Sequence, residues 1–196
     1  FRKVKILVLS PTRELAQQIG EFVKPFASAT NLKMCTIVGG VPIFKQFRQL
    51  RKGADIIIGT PGRLEDHISQ KSIDLNFINY AVLDEADQML DIGFLPAIKR
   101  ILSATPKKRQ TLLFSATMPP EISKLASQFQ TDPKRIEASR PAQTADTITQ
   151  YKVELSMNDH KARRTAMRRV IESRDVKNGI VFCNRKSEVD IVAKSL

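Results

Sequence analysis

The chain has 196 residues, 32 Lys+Arg against 20 Asp+Glu, a formal net charge of +12 and 42% hydrophobic residues. That composition can build a core, which excludes a wholly disordered tail. No apolar run approaches the roughly 20 residues needed to cross a bilayer, so no membrane span is expected. Phe1-Arg2-Lys3 carries no signal-peptide pattern, and the sequence reads as an internal piece holding one domain plus the start of another. Cys35 and Cys183 stand far apart in apolar stretches, each read as a small buried side chain. They suit a reducing, cytoplasmic setting and no disulfide or metal knuckle. The cationic excess points to a polyanion, nucleic acid before an anionic membrane. Few aromatics and no Trp argue for backbone contacts rather than base stacking.

Short aliphatic runs alternate with amphipathic stretches along the chain. Val4–Leu9 reads as a buried strand, and Thr12–Ala29 as a helix through Leu15, Ile19, Phe22, Val23 and Phe26. Met34–Val38 is a strand, Ile43–Leu50 a helix, Asp55–Ile58 a strand, and Pro61–Ile68 a helix with proline in its first turn. Tyr80–Leu83 is a strand ending in acids, followed by a helix at Leu95–Leu102, a strand at Gln110–Phe114, a helix at Pro119–Phe129 and extended chain at Arg135–Glu137. Such alternation predicts βαβ units: an α/β fold with a parallel sheet covered by helices on both faces. Polar residues 139–147, with Pro141 and no apolar period, predict a linker between a domain at 1–138 and the first part of another at 148–196. In that second part Ile148–Leu155 reads as extended, Asp159–Arg174 as a basic helix, Gly179–Cys183 as a strand, and Lys186 onward as a helix.

In parallel sheets ligands sit beyond the carboxyl ends of the strands, and there the unusual residues recur. Asp84-Glu85 follows a strand that reads as buried. Carboxylate oxygens suit a hydrated Mg²⁺ carried by nucleotide phosphates, with Glu85 placed to orient or deprotonate an attacking water. The competing assignment makes Asp84 or Asp87 a helix N-cap. Thr12-Arg13 and Thr60-Pro61-Gly62-Arg63 have the composition of phosphate grips: a hydroxyl and free N–H groups at a helix start, plus a bidentate cation. Gly39, Gly40 and Gly62 let a sugar-phosphate chain come close to the backbone. Arg13 and Arg63 are otherwise solvated cations. Ser115 and Thr117 either bond Asp87 and transmit the state of a phosphate site, or cap the helix that begins near Pro119. Lys161, Arg163, Arg164, Arg168 and Arg169 add attraction for RNA or form a solvated face opposite Ala162, Ala166, Val170 and Ile171. His67 and His160 match no metal or triad spacing and are expected at the surface.

Pro11-Thr12-Arg13-Glu14-Leu15-Ala16, Gly39-Gly40, Thr60-Pro61-Gly62-Arg63, Asp84-Glu85-Ala86-Asp87, Ser115-Ala116-Thr117 and Ile180-Val181-Phe182-Cys183-Asn184 stand in the order of the motifs of DEAD-box RNA helicases, which the chain resembles over essentially its whole length. Gln88-Met89-Leu90-Asp91 and Arg109-Gln110 resemble the bacterial type. The resemblance implies a RecA-like first domain, the beginning of a second RecA-like domain, and ATP-dependent separation of short RNA duplexes with Mg²⁺. It implies that Asp84 holds the metal's water shell and Glu85 the hydrolytic water, both meeting Mg²⁺ through water. Asp87, Ser115 and Thr117 would couple nucleotide state to closure. Pro11, Thr12, Arg13, Gly39, Gly40, Thr60, Gly62 and Arg63 would grip RNA backbone independently of base sequence. Phe182 would line the second domain's cleft.

The sequence also departs from the family. No Gly-x-x-x-x-Gly-Lys-Ser/Thr occurs, the adenine-reading glutamine segment and the second domain's ATP-reaching arginines are not present, and Arg185 stands where many relatives carry Thr. This stretch by itself is therefore expected not to hydrolyse ATP. The alternative functions are a catalytically inactive RNA-binding or scaffolding module and a related helicase acting on DNA.

Overall fold

The computed structural model describes residues 3–137, 148–155, 159–174 and 176–195. The predicted linker, 139–147, lies outside them. The chain divides into two compact units, residues 1–143 and 144–196.

In the first unit the elements run β1 (Ile6–Leu9), α1 (Arg13–Ala29), β2 (Met34–Ile37), α2 (Ile43–Arg51), β3 (Ile56–Gly59), α3 (Pro61–Ser69), β4 (Tyr80–Leu83), α4 (Ala86–Asp91), α5 (Leu95–Ser103), β5 (Gln110–Leu113) and α6 (Pro120–Phe129). All strand pairings are parallel and the order across the sheet is β2-β3-β1-β4-β5. Side chains alternate between the two faces, as the period of a strand requires. Leu7, Leu9, Cys35, Ile37, Ile57, Ala81 and Leu83 pack with Leu64 of α3, Met89 of α4, Ile98, Ile101 and Leu102 of α5, and Ile122 and Leu125 of α6. Val8, Ile56 and Ile58 turn the other way and pack with Ala16 and Ala27 of α1. Aliphatic strands buried on both sides are what a parallel sheet needs.

The register puts Leu9 opposite both Gly59 and Leu83, Ile37 opposite Gly59, and Leu83 opposite Leu113. All five strands therefore end at one level. The hydrogen bonding continues one residue further: Thr60 N donates to Ile37 O, Ser10 N to Gly59 O, Asp84 N to Leu9 O and Phe114 N to Leu83 O, at 2.8–3.0 Å. The loops leaving this edge start from a common, stiffened rim.

The element α4 does not appear among the sequence-based expectations, since six residues are too few to show a helical period. Arg135–Glu137, expected to be extended, forms no paired strand. In the second unit the described elements are α7 (His160–Ser173) and α8 (Lys186–Ala193). The segment 148–155, expected to be extended, and 179–183, expected as a strand, carry no strand pairing there. A strand exists only with a neighbour to take its N–H and C=O groups, and these apolar runs line an open cavity with Met167 and Val170 instead. The apolar stripe expected on α7 is half-buried in part, and no residue of that helix is fully buried.

Candidate functional site

Across the rim, from β2 to β5, the loops occur as Gly39-Gly40, Thr60–Arg63, Ser10–Arg13, Asp84–Asp87 and Phe114–Thr117. From β1 the chain moves toward β3 and β2; from β4 it moves to β5. The boundary between β1 and β4 is thus the topological switch point, where open parallel sheets bind ligands. It separates two chemistries. Loops on the β2 side carry Arg13, Arg63 and glycines, and loops on the β5 side carry Asp84, Glu85 and Asp87.

On the acidic side Asp84 is half-buried and Glu85 exposed. Glu85 caps α4 with φ 50° and ψ 54°, left-handed backbone that strains a residue with a side chain. The turn is held by Glu85 N donating to Asp84 Oδ1 at 3.1 Å and Ala86 N donating to Phe114 O at 3.0 Å. Asp87 Oδ2 accepts from both Thr117 N and Thr117 Oγ1 at 2.8 Å, while Asp87 N donates to Ser115 Oγ at 3.1 Å. The hydroxyls of Ser115 and Thr117 thus meet Asp87 and do not cap α6. Partial burial pushes the Asp87 carboxyl up, but hydrogen bonds from Thr117, Ser115 and Gln88 outweigh it and hold the group below the usual range.

Asp84, Glu85, Asp87, Gln88, Asp91 and Phe114 line a cavity of about 500 Å³. Asp91, four residues after Asp87 on α4, is a member that sequence reading missed; the i,i+4 spacing was the available signal. Among the described residues no three metal-ligating side chains converge closely enough to cage an ion. Carboxylate oxygens at an open cavity fit Mg²⁺ that keeps most of its own water, which is that ion's habit.

On the cationic side Thr12 caps α1, its Oγ1 accepting from Leu15 N at 3.2 Å. Arg13 keeps its side chain 47% exposed beside Glu14 at 3.3 Å. Its Nη1 covers Gly40, where an added Cβ would lie 2.8 Å away and the backbone has φ +73°. Arg63 is not a solvated cation. Its Nη1 donates to Val41 O at 2.7 Å, its Nε pairs with Asp66 at 3.3 Å, and only 16% of the side chain is exposed. It locks the Gly39-Gly40 loop to α3. Pro11 and Thr60 are buried and shape their turns, whereas Gly39 and Gly62 are partly open.

His67, expected at the surface, is fully buried. Gln46 Nε2 donates to Val38 O at 2.8 Å, which leaves Gln46 Oε1 to accept from His67 Nε2 at 3.0 Å. Ser72 Oγ lies 2.7 Å from Nδ1. With both nitrogens satisfied, the ring costs little to bury. Burial first, and then Arg63, hold its pKa below the ordinary value against the opposing pull of Asp66. His160 is exposed as expected. Cys35 is buried with its thiol pushed up to about 11, while Cys183 is half-buried. Within the second unit Phe182 is 91% exposed and borders a cavity with Asn184 and Arg185.

A family described as DEAD/DEAH box helicase matches residues 1–125. The chain belongs to that family. It is 39% identical over 193 residues to the DEAD-box ATP-dependent RNA helicase CshA of Bacillus subtilis, a match covering 98% of this chain and 38% of the relative. It is 40% identical over 183 residues to the RNA helicase CrhR of Synechocystis, covering 93% and 37%. The crystal structure of a DEAD box protein from the hyperthermophile Methanococcus jannaschii superimposes with a TM-score of 0.68 at 38% identity, covering 98% of this chain and 51% of that one. The parallel sheet of the first unit is the RecA-like sheet of DEAD-box proteins. The chain spans about two fifths of the length of the curated DEAD-box relatives it matches. Among the described residues no helix is long and apolar enough to cross a membrane.

Proposed function

We propose that this chain is part of an ATP-dependent RNA helicase that couples ATP hydrolysis to sequence-independent gripping of RNA and local duplex opening. In this reading 1–138 is most of its first RecA-like domain and 148–196 the opening of the second. The observation that carries it is the division of one rim into a carboxylate cavity and a cationic, glycine-rich row of loops, on either side of the switch point. A triphosphate and a polynucleotide backbone are both polyanions, but hydrolysis needs a carboxylate beside the first and cations beside the second.

Asp84 would hold the water shell of Mg²⁺, whose charge neutralises the phosphates when the nucleotide is bound. The Glu85 carboxylate orients a water in line with the γ-phosphorus and accepts its proton. The P–O bond to the β-phosphate breaks and leaves ADP and inorganic phosphate. Strained backbone at Glu85 and the Asp84 Oδ1 hydrogen bond preset that carboxylate. Asp87 ties α4 to the Ser115–Thr117 loop, so a shift of the acidic turn moves the β5 edge with it. Thr12, Arg13, Gly39, Gly40 and Gly62 meet RNA phosphates, with Pro11, Thr60 and Arg63 holding those loops in shape.

The test is phosphate release by the full-length protein with and without single-stranded RNA. Wild type is expected to be RNA-stimulated, and Glu85→Gln to lose turnover by about 10²-fold or more while still binding ATP and RNA. Phosphate release unchanged in the variant would remove Glu85 from the chemistry. RNA binding without any turnover in wild type would favour the scaffolding module.

A further inference from the structure

Between Glu21 and Asp55 the chain carries Lys24, Lys33, Lys45, Arg48, Arg51 and Lys52 and no carboxylate side chain. Folding gathers most of these charges on one side of the first unit. Lys45, Arg48 and Lys52 recur at helical spacing along α2 and its C-cap, and Lys33 precedes the edge strand β2. Lys33 Nζ donates to Lys52 O at 3.3 Å, which draws one ammonium toward the residue that bears another. Among the described residues none of Lys45, Arg48, Arg51 and Lys52 pairs with a carboxylate. Asp55 is buried, its Oδ2 accepting from Lys33 N at 2.8 Å.

Ordinary structural roles explain part of this pattern. Arg48 and Arg51 suit the negative end of α2, and one lysine beside an edge strand discourages unwanted pairing. Neither accounts for Lys33, Lys45 and Lys52 around one open cavity of about 550 Å³ over β2. Like charges gathered without counter-charges repel one another, and a polyanion would relieve that cost.

The cavity has a direction. Val38 and Val41 line its upper end, and Lys33, Lys52 and Gly53 its lower end. Val38 immediately precedes Gly39-Gly40, and Gln46 of α2 is bonded to its carbonyl. The basic side and the cationic rim are therefore one continuous surface, running roughly 16 Å from the loop down the edge strand. An acidic protein segment would need no such continuity with the rim; a strand already held there does.

We propose that this edge, formed by β2 and the exposed stripe of α2, binds the phosphodiester backbone of single-stranded RNA running past the Gly39-Gly40 loop and so lengthens the RNA footprint of the first unit. The inference rests on the reading of the rim as an RNA grip, and the experiment separates the two. Full-length protein is titrated by fluorescence anisotropy with single-stranded RNAs of roughly 6 and roughly 20 nucleotides, the shorter being of the size of one binding module. The triple variant Lys33→Ala, Lys45→Ala, Lys52→Ala removes the three exposed lysines around that cavity and leaves Arg48 and Arg51 to the end of α2.

The variant is expected to bind the long RNA about tenfold more weakly, with its log–log salt slope reduced by about 2, and the short RNA as wild type does. Unaltered long-RNA binding with short-RNA binding intact overturns the edge site alone and leaves an acidic protein segment as its occupant. Equal losses on both lengths also overturn it, because they place the damage at the rim. Failure of wild type to bind either RNA overturns the rim reading, and this inference with it.

Discussion

His67 shows how a single side chain can report on the fold. Its Nε2 is held by Gln46 and its Nδ1 by Ser72, inside a shell that includes the edge of Phe47 at 5.0 Å between ring centroids. A second proton would have to be added next to Arg63 and away from water, so the folded pKa is depressed. The unfolded chain therefore takes up that proton first. Stability from this site is complete above about pH 6.5 and is lost as pH falls toward the folded pKa, by up to about 1.4 kcal/mol per pH unit. Urea midpoints measured between about pH 7.5 and about pH 5.5 are expected to fall for wild type and to flatten in His67→Gln. A variant with the same slope as wild type would show that another group carries the dependence.

At the scale of elements, backbone contact sets the tolerance of the sheet. Gly59 closes β3 between β1 and β2, and an added Cβ would lie 2.4 Å from Ile37 O and 3.1 Å from Ile37 Cβ. The obstacle is main chain rather than a flexible tip, so the strands must part. Gly59→Ala is expected to cost about 2 kcal/mol or more in urea unfolding of the protein. A loss below about 0.5 kcal/mol would mean that β2 yields at its free edge. The twelve described helices and strands other than α4, each following an aliphatic or amphipathic run, were legible in the sequence to within about a residue or two. Two kinds of segment were not. The six residues of α4 are fixed by Ala86 N bonding to Phe114 O and by Asp87 bonding to Thr117, contacts about thirty residues apart. The runs at 148–155 and 179–183 have the composition of strands, but pairing is a property of two segments and cannot be read from one.

Along the rim of the first unit, Asp84, Glu85 and Asp87 stand in the loop after β4, and Arg13 and Arg63 in the loops after β1 and β3, with lysines around the cavity over β2. A rim that grips phosphates rather than bases should show it in salt dependence. Arg13→Ala is expected to lower the log–log salt slope of single-stranded RNA binding by about 0.7 and to weaken RNAs of different base sequence alike. A loss confined to one sequence would instead make Arg13 a reader of bases.

The sequence by itself determined the alternation of buried strands and amphipathic helices, hence a parallel sheet, and it placed the chemistry-bearing residues at strand ends. Those properties depend on neighbours a few positions apart. Strand order, the common level of the strand ends, the burial of His67 and the attachment of Arg63 to Val41 were decided only in three dimensions. Each joins segments tens of residues apart, and local periodicity carries no information about which distant backbone or side chain will supply the partner.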